Sequence, residues 1–131
     1  MNPFSFNEFQ DQVDEVLIRH KSILDILTKL QESSSKINRA VAKSVTDCGC
    51  IQVHSQKQSA PTDISFSELQ NYLTNHVEGY LCDVCKEKIG EEISNNIFYI
   101  AALCNTFNIN IDDMLANYAS QLKTLGTYGL L

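Results

Sequence analysis

Between Phe4 and Val45 the chain contains neither glycine nor proline, and apolar residues recur at Phe6, Phe9, Val13, Val16, Ile23, Leu27, Leu30, Ile37 and Val41. Spacings of three and four put these positions on a heptad a/d stripe, interrupted only by His20 and Ser34. One unbroken helix of roughly 40 residues would be about 60 Å long, more than a chain of this size can cover. The pattern therefore predicts a break at Arg19-His20-Lys21-Ser22, where Ser22 can cap a new helix and Asp25 completes a pattern like a capping box. Helices over 5–19 and 23–46 follow.

The periodicity fails from Cys48 to Pro61, which holds Gly49, a β-prone piece Ile51-Gln52-Val53-His54 and the polar run Ser55 to Ala60. It reads as a loop with one very short hairpin. Ser65 followed by Glu68 is another capping box and predicts a short helix to about His76, ended by Gly79. Ile89, Ile93, Ile97, Ile100, Cys104 and Phe107 lie at core spacing and predict a long helix over 83–107, with Gly90 its weakest point. Asp112 and Asp113 open a last helix carrying Met114, Leu115, Tyr118 and Leu122. The apolar tail Leu125 to Leu131 is expected to fold back on the core or onto a second subunit. The fold class that results is all-α, with four or five helices in one domain over 1–131 and an irregular metal-binding loop at about 47–64.

Composition narrows the function. The chain has 131 residues, 44% of them hydrophobic, with five glycines and two prolines, too few turn formers for an all-β protein. A formal charge of −6 argues against nonspecific nucleic-acid binding, which needs a basic surface. The best basic run, Lys36, Arg39 and Lys43, reads as a solvated helix face. The N-terminus lacks the basic region and apolar block of a signal peptide, and no run approaches the roughly 18 apolar residues of a membrane span. A cytoplasmic location is expected, and there five cysteines stay reduced, so metal ligation outranks disulfides.

The cysteines form two tight pairs, Cys48-Gly49-Cys50 and Cys82-Asp83-Val84-Cys85. A soft divalent ion takes four thiolates at tetrahedral corners, and each pair delivers two of them from one turn. The expected cofactor is a structural zinc on Cys48, Cys50, Cys82 and Cys85. An iron–sulfur cluster uses the same four thiolates, and His54 is a replacement ligand in reach of the loop. A redox dithiol at Cys82 and Cys85 lacks the strand that leads into such motifs. Cys104 sits on an apolar helix face and reads as core.

The stretch Glu92-Ile93-Ser94-Asn95-Asn96-Ile97-Phe98-Tyr99-Ile100-Ala101-Ala102-Leu103, continued through Cys104 to Leu115, resembles the second half of the MazG-like all-α nucleoside triphosphate pyrophosphohydrolases. In that family an E-x-x-D motif opens the helix, an apolar core follows, and a short loop leads to a helix with acidic residues at its start. The resemblance implies a MazG-like helical core, oligomeric assembly, and Mg²⁺ held between E-E-x-x-E and E-x-x-D motifs. Here the second motif becomes Glu92-x-x-Asn95, and the first falls at Gln31-Glu32-Ser33-Ser34-Ser35. An amide or hydroxyl offers oxygen without the negative charge that offsets dehydration of the cation or activates water. Glu91 and Glu87 are stand-ins, although acids near a helix start ordinarily complement its dipole. Ser33, Ser34 and Ser35 read as exposed filler.

Two functions are therefore expected from this resemblance and the acid count. One is a Mg²⁺-dependent nucleotide pyrophosphohydrolase with a degraded acidic site, using Glu32 and Glu92 with Glu91 or Asn95 assisting. The other is a non-catalytic, zinc-stabilised helical homodimer that binds a protein partner or a nucleotide. No membrane or nucleic acid is expected as a partner.

Overall fold

A computed structural model describes residues 4–126; the tail positions Tyr128, Leu130 and Leu131 lie outside them. In chain order the elements are α1 (Phe6–Val16), α2 (Ile23–Lys43), a π turn (Ser44–Cys48), β1 (Ile51–Val53), a 3-10 turn (Ser67–Asn71), β2 (Val77–Gly79), α3 (Asp83–Thr106) and α4 (Ile111–Leu125). The expected all-α class holds, with four α-helices and one small two-stranded sheet.

The break between α1 and α2 includes the predicted place, although α1 ends at Val16 and not at 19, and α2 gives way to the π turn after Lys43 and not at 46. His20 adopts φ 57°, a left-handed conformation no helix continues through, and Ser22 Oγ then accepts the Leu24 N–H at 3.3 Å to cap α2. Asp25 turns to His20, 3.8 Å from its Nδ1.

The buried stripe of α2 differs from the one hydrophobicity suggests. Ile26, Ser33 and Ser44 are buried and Ile23, Leu30, Ile37 and Ala40 partly so, while Leu27 (47% exposed) and Val41 (41%) stand outside the seam. Small residues explain the shift: Ser33, only 2% exposed, lets α2 approach α3 closely. Asn96 of α3 donates from Nδ2 to Ser33 Oγ at 2.9 Å and to Ser34 Oγ at 3.1 Å, locking the antiparallel pair. Ser33 is thus a packing contact and not exposed filler.

The core joins Val13, Ile26, Ala101, Ala102, Cys104 and Ile111, ringed by Phe6, Phe9, Leu17, Phe98, Ile100 and Leu103. On α3 the alanines take the tightest contacts, and Ile93 and Phe107 are exposed instead of facing the core. A buried amide ties α1 to the α3–α4 corner. Gln10 Nε2 donates to Asn105 Oδ1 (3.1 Å) and Ile109 O (2.9 Å), Gln10 Oε1 accepts the Ile111 N–H at 2.8 Å, and Asn105 Nδ2 donates to Gln10 O at 2.9 Å. Asn110, whose Oδ1 accepts the Asp113 N–H at 2.9 Å, caps α4.

The expected helix from Ser65 to His76 is reduced to the 3-10 turn. The Glu68 N–H donates to Ser65 Oγ at 3.3 Å, one half of the expected capping box, while Phe66 stands at the start of the turn. Phe66 and Tyr72 remain exposed, so a longer helix would gain little apolar burial to hold it. Gly79 ends no helix; it is the last residue of β2.

Candidate metal centre

Two local devices present the first cysteine pair. The π turn after α2 is closed by the Gly49 N–H on Ser44 O at 3.0 Å, and Gly49 takes φ 78°, reversing the chain between Cys48 and Cys50. Cys50 then points its thiol back at Ser44 O, 3.7 Å away. The second pair is set by the start of α3. Cys82 is the N-cap residue, and its Sγ accepts the Cys85 N–H at 3.4 Å.

The sheet brings the pairs together. β1 follows Cys50 directly and β2 ends three residues before Cys82, and the strands run antiparallel with Ile51 opposite Gly79. Gly79 has φ 86°, and a Cβ there would lie 2.8 Å from Cys50 O. Any side chain would wedge the two pairs apart, so glycine is required by both conformation and space.

The four ligand atoms of Cys48, Cys50, Cys82 and Cys85 lie within 4.8 Å of one another, with Cys48 Sγ and Cys82 Sγ 3.8 Å apart. A tetrahedron with metal–sulfur bonds of about 2.3 Å has edges of about 3.8 Å. That spacing is far beyond a disulfide bond of about 2.0 Å, and the thiols are free. The arrangement can hold a metal ion such as zinc, and the space between the sulfurs suits one ion better than a multi-iron cluster. Hydrogen bonding polarises the set. The Cys85 N–H holds the Cys82 thiol down at about 7, and the neighbouring Cys82 sulfur, taking charge first, pushes Cys85 up to about 12. His54 stands apart from the four sulfurs, with Nε2 at 3.3 Å from Glu78 Oε2 and 3.1 Å from Gln52 Oε1.

The carboxylates singled out in the sequence occupy different surroundings. Glu32 bridges Lys36 (3.1 Å) and Lys29 (3.5 Å), and the Lys36 hydrogen bond holds its carboxyl below the usual range. Glu92 lies in the α2–α3 seam and pairs with Lys88 at 3.5 Å. Glu91 and Asn95 face another cavity, of about 660 Å³, walled by Phe4, Phe6, Phe9 and Phe98. Lys36 pairs with Glu32, and the Glu32 and Glu92 carboxylates push its ammonium above the ordinary lysine range. The sequence reading placed Lys36 on a solvated helix face and missed its pairing with Glu32, for which its position four residues later was the available signal.

Among the described residues no helix is long and apolar enough to cross a membrane. The chain matches no protein-family model, no curated protein and no solved structure.

Proposed function

We propose that this chain is a non-catalytic helical module, stapled by one structural zinc and paired with a second copy of itself in a reducing, cytoplasmic setting. The observation that carries the reading is the convergence of four free thiols from two knuckles to within 4.8 Å of one another. A closed four-thiolate shell leaves no open position for water or substrate, which is the pattern of structural rather than catalytic zinc. In this reading the chain is a MazG-like descendant that has lost the acidic site. Support comes from the cations already seated on Glu32 and Glu92 and from the separate cavity that Glu91 and Asn95 face.

Elemental analysis of protein purified without added metal tests the staple. One zinc per chain, with four thiols that become reactive on chelation, is the expected result; four reactive thiols and no metal would remove it. Incubation of wild type with nucleoside triphosphates and Mg²⁺ tests the absence of catalysis, and brisk pyrophosphate release abolished by Glu92→Gln would restore the pyrophosphohydrolase.

The second copy is supported by α4. Leu115, Tyr118, Leu122 and Leu125 fall at a/d spacing and are all exposed, a stripe that a second α4 is able to match. Sedimentation should give a dimer at micromolar concentration and a monomer for Leu122→Glu. A wild-type monomer well above that concentration would sink the pairing.

A further inference from the structure

Lys36, Arg39 and Lys43 do not face open solvent alone. They line one wall of an open cavity of about 630 Å³ between α2 and the start of α3, shared with Cys48, Cys82 and Cys85 and with Asp47, Lys88 and Glu92. Two of its cations are already matched, Lys36 by Glu32 and Lys88 by Glu92. Arg39 and Lys43 have no ion-pair partner among the described residues. Among the described residues Arg19, Lys21, Lys57, Lys86 and Lys123 also lack an ion pair, but of the unpaired cations Arg39 and Lys43 are the ones that line this cavity beside the cysteines.

Charge on the metal centre accounts for them. Four thiolates around a divalent zinc leave two negative charges on the cluster, and an electrostatic account of a metal site must include the charge of the ion and its ligands. We propose that Arg39 and Lys43 are the counter-ions of a dianionic zinc tetrathiolate and retard loss of the metal. The inference rests on the zinc reading above. Lys43 immediately precedes the π turn whose Ser44 O meets the Cys50 thiol, and Arg39 lies one turn earlier on the same face. The Cys85 N–H on Cys82 Sγ acts at short range; the two side chains act through the cavity they share with Cys48, Cys82 and Cys85, and low salt leaves such Coulomb forces least screened. A dissolved anion is the rival occupant. With zinc bound, however, the unmatched positive charge is offset by the cluster, and Asp47 adds a further negative charge to the lining.

The test is the rate at which zinc passes from the full-length protein to a neutral polypyridyl chelator. At low ionic strength the Arg39→Gln/Lys43→Gln variant should lose zinc about tenfold faster than wild type, as expected for two charges removed from beside a dianion. The difference should shrink with added salt, and Arg39→Lys/Lys43→Arg should remain slow. A cobalt-substituted sample of the glutamine variant should keep the wild-type thiolate-to-cobalt bands, showing an unaltered ligand set. Lys123→Gln, on α4, should not change the rate. If the glutamine variant matches wild type at low salt, or the conservative variant is as fast as the glutamine one, the counter-ion role is wrong while the staple stands. Saturable binding of inorganic phosphate to zinc-loaded wild type, lost in the glutamine variant, would overturn it in favour of an anion site. Absence of zinc from wild type would remove the staple and the counter-ions together.

Discussion

Replacing single cysteines separates a metal staple from a set of ordinary thiols. The cluster closes the segment from Cys50 to Cys82, in which Ile51 is the buried hydrophobic residue and regular structure is limited to β1, β2 and a 3-10 turn. Packing alone gives that segment little reason to stay folded. By the chain-entropy estimate, cross-linking the ends of a loop of roughly 30 residues is worth about 4 kcal/mol, which in a domain of this size corresponds to roughly 15 °C in melting temperature. Cys48→Ser and Cys85→Ser each open the same coordination shell, so both variants should show this loss, and by a similar amount. Cys104→Ser is the control. That residue is 4% exposed in the helical core, where burial pushes its thiol up, and serine there can return its hydroxyl to the carbonyl one turn back. Its cost should be about 1 kcal/mol, or roughly 4 °C. The assay is thermal unfolding by circular dichroism, with zinc content measured on the same samples. Equal and small shifts for all three variants, in protein that carries no metal, would refute the reasoning.

Among the four clustered thiols of metal-free protein Cys82 should be alkylated before Cys85, because these sit at about 7 and about 12; peptide mapping after brief iodoacetamide treatment at neutral pH reads the order, and faster labelling of Cys85 would contradict it. The lowered Cys82 value also fixes a sign: the thiolate's contribution to metal-free stability is complete above the ordinary thiol range and is lost as pH falls through about 7. Gln10→Ala should cost about 2–4 kcal/mol in urea unfolding, since it orphans the Ile111 N–H and deprives Asn105 and Ile109 of a donor; a loss too small to resolve would mean the network contributes nothing net. Gly79→Ala should weaken zinc retention more than Gly49→Ala, because both have positive φ but only Gly79 has Cys50 O in the way; the reverse order in a chelator-transfer assay would show that the strand pairing does not set the site.

Much of this was legible in the chain, and the misses share a cause. The cap at Ser22 and the paired cysteines depend on residues within a few positions of each other, and the structure bears both out. What spacing could not supply was which face meets a partner helix. On α2 the apolar count favoured Leu27 and Val41, whereas the residue buried against α3 is Ser33, small enough to be covered and polar enough to accept the Asn96 hydrogen bond. On α3 the same competition placed Ala101 and Ala102 in the tightest contacts and left Ile93 outside. Gln10 drew no reading from the sequence, because its partners lie about a hundred positions away. Gly79 looked like a helix stop because strand pairing with Ile51 is equally remote.

The long connection between β1 and β2 is held by little of its own. One amide clasps it: Gln58 Nε2 donates to Thr74 O at 2.7 Å and Gln58 Oε1 accepts the Thr74 N–H at 3.2 Å, imitating a rung of the ladder below. Once the ends are fastened by the sheet and the sulfurs, the length of what lies between is nearly free to vary, since doubling a flexible loop costs only about 0.6 kcal/mol. The segment from His54 to His76 is therefore the place where this fold can accept foreign sequence, such as an epitope, a fluorophore tag or an inserted domain, without the helices registering the change.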